Sequence, residues 1–391
     1  MPHQPVIVTC CRTAIGRSHP SRGGFRHVRG DELAAAVITE AVRRSGVDPE
    51  VIDDVLLGAT KQHGELGGNV ARNAALLAGL PFQVAGSTVN RLCGSGLEAI
   101  ARACQAIRCG EADVQLAGGV EHMHHLPMES QLEIHPQVFA RSSRAALSMG
   151  LTAEHLAAEH GISRDEQEAF ALESHRKAAA ATAAGLFADE IVPVLGHDEQ
   201  GGLCVLTRDQ SIRGDTSREA MAALEPVFLP KVGTITAATS SPISDGAAVA
   251  MLMAAETAER LGLEPLARVI GSAAVGVPPA AMGTGPVPAV QKLLARTGVS
   301  LADIAMVELN EAFAVQAVHN IRELKLDPDC VNVHGGGLAI GHPLGASGSR
   351  LVTTLVHALR RRGGGLGIAA MCVGLGQGMA MLVDVAAGPS S

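Results

Sequence analysis

The chain has 391 residues, of which 47% are hydrophobic and 18% charged, so it suggests two or three domains of a well-packed globular enzyme and excludes a disordered polypeptide. Seven Phe, no Trp and no Tyr leave the core to Ala, Val, Leu, Ile and Met. A net charge of −8 argues against a broad nucleic-acid or anionic-membrane surface, and no apolar run approaches the ~20 residues that span a bilayer.

In chain order, P5-V-I-V-T-C-C-R-T-A-I-G16 reads as a strand that begins almost at once, so no signal or transit peptide is expected. Eight Cys without a leader suggest reduced thiols and a cytoplasmic location. An amphipathic helix over Leu33–Arg44 is followed by G46-V-D-P-E-V-I-D-D-V-L-L-G58, which ends in an apolar strand. N90-R-L-C-G-S-G-L97 then enters a helix that runs to about Ile107, and D113-V-Q-L-A-G-G119 reads as the next strand. Past this point H122-M-H-H125 is the dense histidine cluster. Three imidazoles could ligate a metal, but no Cys or carboxylate spacing completes a set, so a polar loop is the preferred reading and no metal is expected. Residues 122–243 are richer in Met, His, Arg and charged helix and read as an insertion over the core, a place where substrates commonly bind.

The remaining third repeats the first. G298-V-S-L-A-D-I-A-M-V-E-L-N310 aligns without a gap to Gly46–Gly58 at an offset of 252 residues, again after an amphipathic helix, Val287–Arg296. A267-R-V-I-G-S-A-A-V-G276 is a loose counterpart of the first strand. H342-P-L-G-A-S-G-S-R-L-V matches the turn and helix after Asn90, and G367-I-A-A-M-C-V373 matches the strand after it. Strand–helix alternation of this kind implies mostly parallel sheets with helices on their faces. The expected division is 1–121 with 244–266 as one half, 122–243 as the inserted loop domain, and 267–391 as the other half.

Chemistry concentrates at the two repeated helix starts. The unpaired N–H groups of a helix N-terminus favour a thiolate, so Cys93 is expected to be nucleophilic, with Gly94 and Gly96 clearing space for a large electrophile. A histidine at the matching position, His342, is expected to stay neutral and able to act as a base. Cys372, where a strand enters the loop C372-V-G-L-G-Q-G378, could shuttle a proton, and that loop's N–H groups could stabilise an oxyanion. Asn310 ends the strand whose repeat partner ends in Gly58, an asymmetry that favours a role beyond packing.

Taken in order, N90-R-L-C-G-S-G, N310-E-A-F-A, G341-H-P-L-G-A-S-G and C372-x-G-x-G-x-G on a duplicated frame resemble the thiolase family across essentially the whole chain. The resemblance implies an α/β thiolase fold, two halves in α-β-α-β-α layers with an inserted loop domain, in a homodimer or homotetramer. It implies Cys93 as the acylated nucleophile, His342 as its activator and Cys372 as acid/base. One oxyanion hole would come from Asn310, through a water, with His342, and the other from the amides of Cys93 and Gly374. Around coenzyme A or the acyl group it places Arg213, Ser241, Met149, Phe228, Met282 and Phe313, with Arg218 a further candidate for the phosphates. Coenzyme A and acyl-CoA would be substrates, with no resident cofactor.

Two departures, Leu375 within the last glycine run and Ser148 where a His is common before the Met of the loop domain, look more like degradative β-oxidation thiolases than acetoacetyl-CoA synthases. Bacterial relatives of that type work with a hydratase/dehydrogenase subunit, which makes one a possible partner here. The alternative is a short-chain acetyl-CoA acetyltransferase. A decarboxylating ketosynthase fits less well, since it typically carries His where this chain has Asn310 and needs no second thiol. A non-catalytic lipid-binding protein would not retain all four residue types.

Overall fold

The computed structural model describes residues 3–131 and 133–388. The first half comprises β1 (Pro5–Thr13), β2 (Gly16–Arg17), α1 (Gly30–Ser45), β3 (Asp54–Gly58), α2 (Val70–Leu77), β4 (Ala85–Val89), α3 (Ser95–Cys109) and β5 (Val114–His122). There follow α4 (Pro136–Arg141), α5 (Met149–His160), α6 (Arg164–Ala183), β6 (Ile191–Val192), the hairpin β7 (Val194–His197) and β8 (Leu203–Leu206), and α7 (Arg218–Ala222). The chain re-enters the core at β9 (Ser244–Ala254) and α8 (Ala255–Arg260). It continues through β10 (Ala267–Gly276), α9 (Pro286–Thr297), β11 (Ile304–Leu309), α10 (Ala314–Leu324), α11 (Gly337–Ile340), α12 (Leu344–Arg361), β12 (Gly365–Val373) and β13 (Gln377–Val385).

The repeat is built in atomic detail. Gly46 and Gly298, 252 apart, end α1 and α9 at φ 66° and 71°, a left-handed turn that L-residues with a Cβ resist. Two residues on, Asp48 and Ser300 each accept a backbone N–H, from Glu50 and Ala302, and so start equivalent short 3₁₀ turns into β3 and β11.

The strands follow the order β11-β12-β13-β10-β1-β9-β5-β3-β4. The sheet is mixed where mostly parallel pairing was expected. β3 runs parallel to β4 and β5, and β11 to β12, as crossover helices require, but β9, β10 and β13 pair antiparallel with their neighbours in the sheet path. The reason between β12 and β13 is a short connection. Only Gly374–Gly376 join β12 to β13, which is too little chain for a parallel crossover and enough for a hairpin. The two halves meet in the sheet through just two register pairs, Val6 with Arg268 and Ile7 with Ala267.

Helices α3 and α12 form the middle layer and share one apolar cluster with both halves of the sheet. The outer face of the first half is covered by α1 and α2, that of the second by α9 and α10. Every residue of α12 from Leu344 to Val356 is buried, because it has sheet on both sides and α3 alongside. Contact between α3 and α12 is backbone-close. A Cβ on Gly96 would stand 2.7 Å from the Gly345 carbonyl oxygen, and one on Gly348 would stand 2.4 Å from the Leu97 nitrogen. Gly96 therefore serves helix–helix approach, which corrects the expectation that it clears a path for substrate.

Candidate active site

Cys93 sits one residue ahead of the Gly94 N-cap of α3, and His342 one residue ahead of the Pro343 N-cap of α12. The duplicated helices thus bring matching loop positions to one place. The Cys93 loop is held by its own polar groups. Leu92 N–H donates to Asn90 Oδ1 (2.8 Å), Arg91 N–H to Ser95 Oγ (2.9 Å), and Ser95 Oγ–H to the Leu92 carbonyl (2.6 Å). Leu92 adopts φ 46°, a left-handed conformation that strains a non-glycine residue by about 1–3 kcal/mol and marks a loop fixed by its surroundings.

Burial pushes the Cys93 thiol up to about 11, although the backbone N–H groups of Gly374 and Cys93 face the sulfur and oppose the shift. The helix field alone had predicted the opposite direction. Desolvation wins because Cys93 is only 6% exposed. His342 is pulled down to about 3, first by burial and then by the Arg350 guanidinium. It is neutral, as expected, with burial as the main cause. The resting pair is therefore thiol and neutral imidazole.

Hydrogen bonds assign the imidazole tautomer. Ser347 Oγ–H donates to the Pro343 carbonyl (3.1 Å), so at the 2.5 Å contact with His342 Nδ1 it is the ring that donates. The lone pair then lies on Nε2, which faces Asn310 Nδ2 at 3.4 Å. Asn310 Oδ1 is buried and without a partner, a free acceptor at the same spot. Cys372, at the end of β12, is also buried. Its thiol is raised by burial and then by Cys93, whose sulfur is near enough to disfavour a second anion.

One side chain that sequence patterns did not single out ties these loops together. Glu121, at the end of β5, accepts N–H bonds from Thr60 (3.0 Å), Lys61 (3.2 Å) and Gly345 (2.8 Å), linking the β3 loop to the start of α12. Ser347 was equally unmarked. A serine four residues into a glycine-rich run carries no signal until the helix turn returns it to the histidine.

Of the residues placed around coenzyme A or the acyl group, Met149, Phe228, Met282 and Phe313 pack in one cluster with Cys372. Phe228 and Phe313 meet edge to face with centroids 6.1 Å apart. Ser241 is fixed beside them by its N–H to the Ala312 carbonyl (3.0 Å). Arg213 lies apart from this cluster, in a cleft of about 400 Å³ with Arg17, His175 and Ser240, and its N–H donates to His175 Nδ1 (3.1 Å). Arg218 is exposed on α7. A second cavity, of about 360 Å³, opens onto Cys93 and is walled by Leu92, Met128, Ile134, Leu147 and Met149.

The chain matches the model of the thiolase N-terminal domain over residues 5–256 and that of the thiolase C-terminal domain over 263–385. The chain belongs to the thiolase family. It is 49% identical to the 3-ketoacyl-CoA thiolase of Aliivibrio fischeri, over 97% of this chain and 98% of that one. To the 3-ketoacyl-CoA thiolase of a Marinomonas species it is 46% identical, over 98% of each. The crystal structure of the Bacillus anthracis acetyl-CoA acetyltransferase superposes with a TM-score of 0.89 at 39% identity, covering 98% of this chain and 99% of that one.

In this thiolase the histidine cluster is a hydrogen-bonded motif. Glu65, His122 and His125 bring ligand-type atoms within 4.8 Å of one another, and all four ring nitrogens are engaged in hydrogen bonds, one of them to Glu65 itself. His122 Nε2 meets the Phe25 carbonyl (3.1 Å) and its Nδ1 accepts the His125 N–H (3.2 Å). His125 Nε2 meets the Arg26 carbonyl (3.0 Å) and its Nδ1 meets Glu65 (3.0 Å). The two rings stack with centroids 3.8 Å apart.

Proposed function

We propose that this chain is a 3-ketoacyl-CoA thiolase that works through an acyl-Cys93 intermediate. The observations that support the reading are that Asn310 Nδ2 meets His342 Nε2 at 3.4 Å, that Cys372 lies near enough to Cys93 for their charges to interact, and that Cys93 lines a cavity. Cys93 Sγ attacks the 3-keto carbon as its proton passes to His342 Nε2. The C2–C3 bond then breaks, and its electron pair leaves as the enolate of acetyl-CoA. Cys372 delivers a proton to C2. The thiol of coenzyme A next gives its proton to Cys372 and attacks the acyl carbon, and Cys93 departs and recovers its proton from His342. Neutral resting groups suit this sequence, because charge forms only as bonds change and is met there by fixed donors. Asn310 and protonated His342 would stabilise one oxyanion, the amides of Cys93 and Gly374 the other. Coenzyme A and its thioesters are the substrates, and every proton transfer is assigned to a side chain, so no resident cofactor is invoked.

The arginines of the cleft around Arg213 and Arg17 suit the phosphates of coenzyme A. The half-exposed edge strand β4, with Phe82 85% and Leu77 58% exposed on the segment just before it, supports a homodimer joined along that edge. Among the described residues no helix is long and apolar enough to cross a membrane. All eight cysteines are free, which suits the reducing cytoplasm.

The test is CoA-dependent cleavage of acetoacetyl-CoA and a long-chain 3-ketoacyl-CoA by the purified protein and its Cys93→Ser variant. Preference for the long substrate, lost in the folded variant, supports the degradative reading. Preference for acetoacetyl-CoA moves the enzyme to the short-chain class, and no cleavage of either refutes it.

A further inference from the structure

The cavity beside Cys93 has an uneven lining. Apolar side chains from Leu92, Met128, Ile134, Leu147 and Leu344 share it with a polar group, Lys61, Gln62, His63 and Ser130. Lys61 is the unusual member. Only 9% of it is exposed, yet among the described residues its ammonium makes a single hydrogen bond, to the Ser130 carbonyl (3.1 Å). Among the described residues no carboxylate lies within ion-pair distance of it. The nearest acids are committed elsewhere, Glu121 to three backbone N–H groups and Glu129 to solvent. Burial pulls the Lys61 amine down, and the charges of Glu121 and Glu129, neither of them in ion-pair contact, offset that only in part.

The loop that carries Lys61 is fixed rather than adaptable. Its N–H is held by Glu121, the Thr60 carbonyl accepts from Asn90 Nδ2 (3.1 Å), and the neighbouring His63 Nε2 meets Ser130 Oγ (3.0 Å). The positive group therefore stands at a set place in the wall of the cavity that receives the acyl chain from Cys93. An ammonium that only stapled Ser130 would be as well served by a neutral donor. A charged one set in the cavity wall, with little carboxylate close by, stabilises an anion arriving from the cavity.

We propose that the acyl pocket accepts 3-ketoacyl-CoA substrates whose chain ends in a carboxylate, with Lys61 Nζ as the partner of that carboxylate. The proposal rests on the thiolase reading of the site and names the substrate class within it.

The experiment compares thiolysis of straight-chain 3-ketoacyl-CoAs with the same thioesters carrying a terminal carboxylate in place of the methyl, across several chain lengths. Wild-type, Lys61→Met and Lys61→Arg proteins are used. At the chain length that reaches Lys61, wild type should favour the carboxylate-ended substrate in kcat/KM by about tenfold or more, the scale of one buried charge-assisted pair. Lys61→Met should abolish or invert that ratio, and Lys61→Arg should keep its sign. A wild-type preference for the methyl-ended substrate at every length overturns the proposal, whatever the variants do. So does a ratio that Lys61→Met leaves unchanged. If wild type cleaves neither series nor acetoacetyl-CoA, the thiolase reading itself has failed.

Discussion

Ser347→Ala isolates the group that sets the protonation pattern of the His342 ring. The change removes the oxygen that receives His342 Nδ1–H at 2.5 Å and that donates to the Pro343 carbonyl. Both side chains are almost fully buried, His342 at 4% and Ser347 at 1% exposure, so water does not replace the lost partner. An unpaired buried polar group costs about 1–3 kcal/mol, and the lone pair no longer has a fixed home on Nε2. At about 1.4 kcal/mol per tenfold, kcat/KM for thiolysis should fall by about five- to 140-fold. The loss should appear in the acylation step, read from the burst of acetyl-CoA released from acetoacetyl-CoA before turnover. Thermal unfolding of the variant serves as the control for folding. A folded Ser347→Ala enzyme with unchanged acylation would refute the tautomer assignment and leave Ser347 a packing residue.

Three further outcomes follow from the same geometry. With its thiol near 11, Cys93 should be a thiolate in only about one part in ten thousand at pH 7. Its alkylation by iodoacetamide, mapped by peptide mass to separate it from exposed Cys109, should keep rising up to pH 10, and a plateau near neutrality would contradict that. His122 and His175 are held down to about 4 and His342 to about 3, all below the ordinary 6.5, so between these values the unfolded chain binds protons that the folded chain refuses. Their contribution is complete above pH 6.5 and drains as pH falls, by about 2 kcal/mol for each at pH 5. Asp245, raised to about 6, and Glu308, raised to about 8, oppose this in part, since their contributions are present at low pH and lost as pH rises toward those values. Melting temperature should therefore drop from pH 7 to pH 5, and a flat profile would count against the burial of the three rings. Gly348→Ala would drive a Cβ to 2.4 Å from the Leu97 nitrogen. Overpacking of about 1–3 kcal/mol or more should lower the melting temperature, and an unshifted melt would show that α3 and α12 yield easily.

Much of this molecule is legible in its residues because the duplication writes the grammar twice. The ungapped match of Gly46–Gly58 with Gly298–Asn310 marks β3 and β11, and both amphipathic helices fall where their spacing places them. Cys93 and His342 stand out because glycine-rich turns before helices are conspicuous. What stays hidden depends on contacts distant in sequence. Glu121 reaches across to Gly345, and Lys61 to Ser130, and neither pair leaves a local pattern. The thiol misled for a related reason. Helix position is local and readable, whereas the extent of burial that overrides it is a property of the assembled layers. The hairpin that turns β13 antiparallel was visible in its short loop, but strand–helix alternation carried the reading the other way.

The seam between the halves has a consequence for how such a catalyst arises. Two register pairs and the touching backbones of α3 and α12 are the joints of a two-part machine. Each copy of the ancestral unit would have offered the same loop to the other, as two identical subunits do across a dyad. Fusing them frees the copies to diverge, and here one carries sulfur at the shared position and the other imidazole. The present chain is in that sense a dimer that lost its symmetry, with Cys93 and His342 standing at two once-equal helix starts.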